Sequence, residues 1–139
     1  MNKKNENGFS LIEVLLVVVI LGVVVALAVP AFQKAFRSAE NGAVLSILRV
    51  ISSTQVSYYG QHNRFGRLAE INPIVGNGLG TITGDRMVRG KFLFEMTPVV
   101  PTDAELKTEY MITATRNISG EEIYQYEINQ SGEIVQIRP

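Results

Sequence analysis

From Phe9 to Phe32 the chain runs for 24 residues with one charged side chain, Glu13, and Val14 to Val29 is 16 residues with no polar side chain at all. Wound as an α-helix, 24 residues extend about 36 Å. The hydrocarbon core of a bilayer is about 30 Å thick, so the segment is long and apolar enough to span one. Lys3 and Lys4 precede it and no basic residue interrupts it until Lys34, a bias that places the amino end in the cytoplasm. The rest of the chain has to be read as what this apolar rod carries.

Two ordinary readings of the segment are open. In a secretory signal, Lys3 and Lys4 would form the basic region and Ala26-Leu27-Ala28 the small-x-small cleavage site. A carboxylate near the start of the apolar run and Pro30 just past that cut speak against it. A plain amino-terminal anchor explains the length but gives no reason for Glu13. A third reading rests on Gly8-Phe9-Ser10-Leu11-Ile12-Glu13, which follows a short basic leader and opens the apolar helix. This resembles the type III signal of type IV pilins and pseudopilins. The resemblance is specific over the first thirty or so residues; beyond them the chain matches in architecture only.

The resemblance implies a leader of residues 1–8, removed by a membrane-embedded prepilin peptidase that cuts after Gly8, and N-methylation of the new terminus at Phe9. Glycine at the cut has a physical rationale, since without a Cβ the backbone can lie extended against the protease; Gly8 as a mere linker is the plain alternative. Residues 9–30 would be the transmembrane and assembly helix. A carboxylate in an apolar helix is costly and usually has a partner. For Glu13, cleavage creates one, the α-ammonium of Phe9. Four helical residues rise about 6 Å, so the pair could form within one chain or with a neighbour offset by about one turn. The second option couples charge burial to assembly; the plain alternative is a carboxylate snorkelling to the headgroups. Gly22 and Pro30 interrupt this helix: proline loses its amide donor and crowds the carbonyl of Ala26. By resemblance, Gly22 to Pro30 could unwind in an assembled filament, whereas simple bending is the plain reading.

After Pro30 the pattern becomes one-sided. Phe32, Phe36, Ala39, Ala43, Ile47, Val50, Ile51 and Thr54 recur at three- and four-residue steps, with Lys34, Arg37, Glu40, Asn41 and Arg49 largely between them. That spacing predicts an amphipathic helix over 31–59, continuous with the membrane helix and ended near Gly60. The stretch Tyr58 to Ile71 resembles the tyrosine-rich helix exit of many pilins. Residues 60–90 read as a loop, with four glycines between Asn72 and Asp85; Gly76-Asn77-Gly78-Leu79-Gly80 lacks the spacing of a phosphate-binding loop. His62 reads as a solvated loop residue. Over 91–139 alternation predicts three or four antiparallel strands, at 91–99, 109–115, 122–129 and 133–138, with turns at 117–120 and 129–132. The expected fold class is α+β, a long amino-terminal helix packed on a small antiparallel sheet, with residues 31–139 as a pilin globular domain.

Composition narrows the chemistry. Thirteen basic residues balance thirteen acidic ones, which argues against a dedicated nucleic-acid binder. The chain has no cysteine and one histidine, which excludes disulfides and thiolate chemistry and disfavours a histidine-based triad. A disulfide closes the carboxy-terminal loop of many pilins; this chain departs from that pattern. The scattered acids Asp103, Glu105, Glu121, Glu122, Glu127 and Glu133 form no dense calcium loop. No catalytic residue, metal or cofactor is expected, and the chain is read as no enzyme. Phe9, Phe32 and Phe36 are read as packing residues rather than an electron path.

The resemblance therefore implies a structural subunit of a type IV pilus or pilus-like filament, serving adhesion, twitching motility or DNA uptake. Its implied partners are copies of itself in a helical filament, prepilin peptidase, the inner-membrane assembly machinery and, before assembly, membrane lipid. Its implied location is the inner membrane, single-pass with a cytoplasmic amino end, and then an extracellular pilus or a periplasmic pseudopilus. A pseudopilin of type II secretion is the alternative within the same assembly physics, and a secreted or anchored binding domain the alternative outside it.

Overall fold

A computed structural model describes residues 8–139; the basic leader residues Lys3 and Lys4 lie outside the described residues. The chain divides into two compact units, Met1–Ala39 and Glu40–Pro139. Helix α1, Leu11–His62, is 52 residues long and contributes to both. It runs unbroken through Gly22 and Pro30.

Within the first unit the helix presents apolar side chains on every side. The large apolar side chains from Val14 through Val25 are each at least half exposed. A helix that is hydrophobic all round needs an apolar surrounding, and this one is long and apolar enough to cross a membrane.

The second unit folds around its own core. Its sheet is a six-stranded antiparallel meander in sequence order: β1 (Thr81–Thr83), β2 (Arg86–Arg89), β3 (Phe92–Met96), β4 (Met111–Arg116), β5 (Tyr124–Asn129) and β6 (Ile134–Arg138). The predicted alternation holds in β3 to β5. Phe92, Phe94 and Met96, then Ile112 and Ala114, then Tyr126 and Ile128, are all buried, and register aligns them, with Phe94 opposite Ala114 and Ala114 opposite Tyr126. From α1, Val44, Leu48, Ile51 and Tyr58 join the same core. Each such large side chain contributes roughly 1.5–3 kcal/mol through removal from water.

Four expectations are corrected. The sheet has six strands rather than three or four, because β1 and β2 form within residues 60–90, read as loop. That stretch also holds helix α2 (Leu68–Ile71) and a 3₁₀ turn at Asn72–Val75. The helix ends at His62 rather than near Gly60; Asn63, at φ 54°, takes the left-handed position, and its amide donates to the Tyr59 carbonyl at 2.9 Å. Asparagine tolerates that conformation where most residues do not. The buried stripe is Val44, Leu48, Ile51, Thr54, Gln55 and Tyr58. Phe32 and Phe36 are exposed at 64% and 68%, so they are not core residues of the single chain, and Val50 also lies outside the stripe. Finally, His62 is not a loop residue. It closes the last turn of α1, stacked on Tyr58 with ring centroids 4.0 Å apart, and its Nδ1 lies 3.2 Å from the Tyr58 carbonyl.

Candidate processing and assembly site

The residues singled out around the leader lie together at the start of α1. Gly8 is exposed with no atom within 4 Å of where a Cβ would stand, and Phe9 is 85% exposed. Ser10 precedes the first helical residue. Its carbonyl accepts from the Glu13 amide at 3.0 Å and from the Val14 amide at 3.2 Å. The Glu13 carboxylate turns back and accepts from the Ser10 amide, Oε2 to N 2.9 Å. That contact satisfies one of the donors every helix start leaves free, and it sets a negative charge against the positive end of the helix dipole.

This local role of Glu13 is one that sequence reasoning missed. The signal was present: Ser10-x-x-Glu13 has the spacing of a capping box, though only the glutamate half of the box is formed here. The cap also fixes where the carboxylate sits. Bonded to the amide of Ser10, it lies one residue from the nitrogen of Phe9. Gly22 and Pro30 are not brought to this end. Gly22 has no atom within 4 Å of a built Cβ, so nothing among the described residues requires glycine there, and Pro30 lies within α1.

A second cluster forms at the helix exit, in the segment Tyr58 to Ile71. Arg64 donates to both oxygens of Glu70, at 2.9 and 2.6 Å, and its guanidinium lies 5.5 Å from the Tyr58 ring centroid. The Arg67 amide donates to Glu70 at 2.8 Å, and the Arg67 side chain reaches Asp103 at 2.6 Å and the Pro101 carbonyl at 2.8 Å. The hydrogen bond from Arg64 is the main cause that holds the Glu70 carboxyl down at about 2. Glu70 in turn raises Arg64 further above its already high range. Burial, with Glu70 nearby, pushes the Tyr58 phenol up. Tyr59, Phe65 and Tyr110 pack ring to ring, with centroids 4.7 and 4.8 Å apart. The arrangement ties three chain segments together.

Residues 3–29 match the prokaryotic N-terminal methylation motif. The chain is 27% identical over 116 residues to the type IV major pilin protein PilE1 of Neisseria gonorrhoeae, covering 83% of this chain and 55% of that one. It is 31% identical over 68 residues to the type IV major pilin protein PilA of Myxococcus xanthus (strain DK1622), covering 49% of this chain and 30% of that relative. The chain thus spans about half or less of the length of these curated relatives. No solved structure matches it. The chain thus carries the methylation motif and is similar in sequence to type IV major pilins.

Proposed function

We propose that the chain is a structural subunit of a type IV pilus or pilus-like filament. It waits in the inner membrane with its amino end in the cytoplasm, is cut after Gly8 by prepilin peptidase, is methylated on Phe9 and polymerises through its apolar helix. Its work is mechanical, and it is the peptidase's substrate rather than a catalyst. The observation that carries this reading is Glu13, a lone carboxylate capping the start of a helix whose other exposed side chains through Val29 are apolar.

In this reading the carboxylate has two successive partners. Before cleavage it accepts from the Ser10 amide at 2.9 Å. Cleavage puts an α-ammonium on Phe9, and a charged donor makes a bond roughly twice as strong as a neutral amide does. The cap holds the carboxylate within reach of its own terminus, and a neighbour offset by about one turn can supply a second ammonium. Stacking in register then neutralises charges that misplaced neighbours leave unpaired in an apolar surrounding.

Intact mass spectrometry of the mature protein tests the processing step. The expected species begins at Phe9 with one added methyl group; a chain beginning at Met1 or Val29 overturns it. Filament yield tests the assembly step. Glu13→Ala is expected to be inserted and cut but to assemble poorly, and normal yield from that variant removes the role of Glu13.

A further inference from the structure

The folded unit carries a feature that the helix-based reading does not use. Between the first turns of its share of α1 and the β2–β3 turn lies a groove of about 400 Å³. Val44, Ile47, Phe92 and Phe94 line it, with Arg89 and Lys91 at its lip. Lys91 is paired with Glu40 at 2.9 Å. Arg89 donates to the neutral carbonyl of Gly78, so that contact leaves its charge uncompensated.

At the other end of β3 the chain exposes a short apolar loop. Val99 and Val100 are 40% and 60% exposed, between Pro98 and Pro101. Beside them Glu105 accepts from the amide and hydroxyl of Thr102, both at 2.8 Å. Those donors are neutral, so this carboxylate also keeps its charge.

The two features lie at opposite ends of the unit. The groove begins where β3 begins and abuts α1 near Ala43. The valine loop follows the end of β3, and its Pro101 carbonyl is held by Arg67, just past the helix exit. From Ala43 to Tyr59 the helix rises about 24 Å. A groove and an exposed apolar loop at opposite ends of one unit can serve as the two halves of a heterologous contact, and such contacts generate open assemblies when the rotation does not close.

We infer that the groove receives the Val99–Val100 loop of a second copy, with Glu105 of that copy facing Arg89, so that the folded units join head to tail. The inference rests on the filament reading above and adds a contact outside the apolar helix. The cation and the carboxylate set the register, and the valines fill the apolar floor.

Cysteine cross-linking in the full-length chain tests it, because the protein has no cysteine of its own. With Ala43→Cys and Val100→Cys in one chain, oxidation of filaments is expected to give a ladder of dimers, trimers and longer species. Either substitution alone is expected to give none. Filaments that form without a ladder, dimers from a single variant in equal amount, or cross-links to another protein overturn the head-to-tail contact and leave the filament reading standing. Failure of the unsubstituted chain to form filaments overturns both.

Charge reversal decides the matter independently should the cysteine variant not assemble. Arg89→Glu and Glu105→Arg are each expected to lower filament yield, and the combination to restore most of it. No recovery in the combined variant, with both single variants impaired, counts against the pairing.

Discussion

The two units of this chain use apolar residues in opposite ways. In the folded unit Leu48, Ile51, Phe94, Ile112 and Ile128 are completely buried, and the chain supplies every neighbour they need. In the helical unit Leu15, Val18, Val24 and Leu27 are 55–73% exposed, and an apolar surrounding for them has to come from outside the described residues. The same residue types therefore stabilise a fold in one region and create a demand for partners in the other. Substitutions should separate the two, since a change in one unit should be felt in folding and a change in the other in insertion or assembly.

The largest effect is expected at the centre of the core. Phe94 faces Ala114 across β3 and β4 and is fully buried. Phe94→Ala should cost about 3–5 kcal/mol, from lost transfer energy and the cavity left behind. Denaturant melts of the full chain in detergent, followed by tyrosine fluorescence, would show it, while membrane insertion should be unchanged. Gln55 comes next. Its amide donates to the Gly66 carbonyl at 2.8 Å and accepts from the Gly66 amide at 2.7 Å, all buried. Gln55→Ala strands both backbone groups, and an unpaired buried polar group costs about 1–3 kcal/mol. A loss of about 3 kcal/mol is expected, with hydrogen exchange accelerating first around Gly66.

Gln55 also marks the limit of what the sequence disclosed. Strands β3 to β5 were legible because a half-buried antiparallel strand imposes a period of two that survives in the residue order. The methylation signal was legible because it is a contiguous pattern. Strands β1 and β2 were not. Thr81-Ile82-Thr83 is short, Arg86 and Arg89 face solvent, and glycines surround both, so local pattern and turn signal overlapped. The helix stripe was misplaced because Phe32 and Phe36 satisfy the three- and four-residue spacing yet are exposed. Buried polar residues leave no periodic trace at all. Gln55 is buried by Gly66, and Asn72 by the loop it holds, bonding the Gly80 carbonyl at 2.9 Å and the Leu79 amide at 3.1 Å. Arg116, 1% exposed, is buried beside Glu121 at 2.5 Å and Glu40 at 3.4 Å. Each of these depends on partners distant in sequence or on loop geometry, neither of which composition records.

A smaller effect comes from the helix exit and depends on pH. The Glu70 carboxyl is held at about 2, below its ordinary value of 4.5, chiefly by Arg64. A depressed carboxylate stabilises the fold above its unfolded value and loses that contribution as pH falls through its folded value. The window is therefore from about pH 4.5 down to about 2. The pair is partly exposed, with side-chain exposures of 17% and 30%, so solvent screening trims the contribution to about 1–2 kcal/mol. Glu70→Gln should lower stability by that amount at neutral pH and flatten the acid limb of a stability–pH profile. A profile as steep as that of the unsubstituted chain would move the acid sensitivity to other carboxylates.

The smallest expected effect is the most direct challenge to the contrast between the units. Val18 is 59% exposed in the middle of the apolar run. Val18→Ala removes two methyl groups from an exposed side chain, and alanine is the better helix former by several tenths of a kcal/mol. Unfolding of the region 40–139, followed by the same tyrosine signal, should therefore shift by less than about 0.5 kcal/mol. Assembly should respond more, because the loss recurs at every copy: removing apolar surface weakens helix contacts at about 25 cal/mol per Å² of area lost where water is the reference, and by lost packing where lipid is. A melt that moves with Val18→Ala as far as with Phe94→Ala would show that the two units share one energetic core.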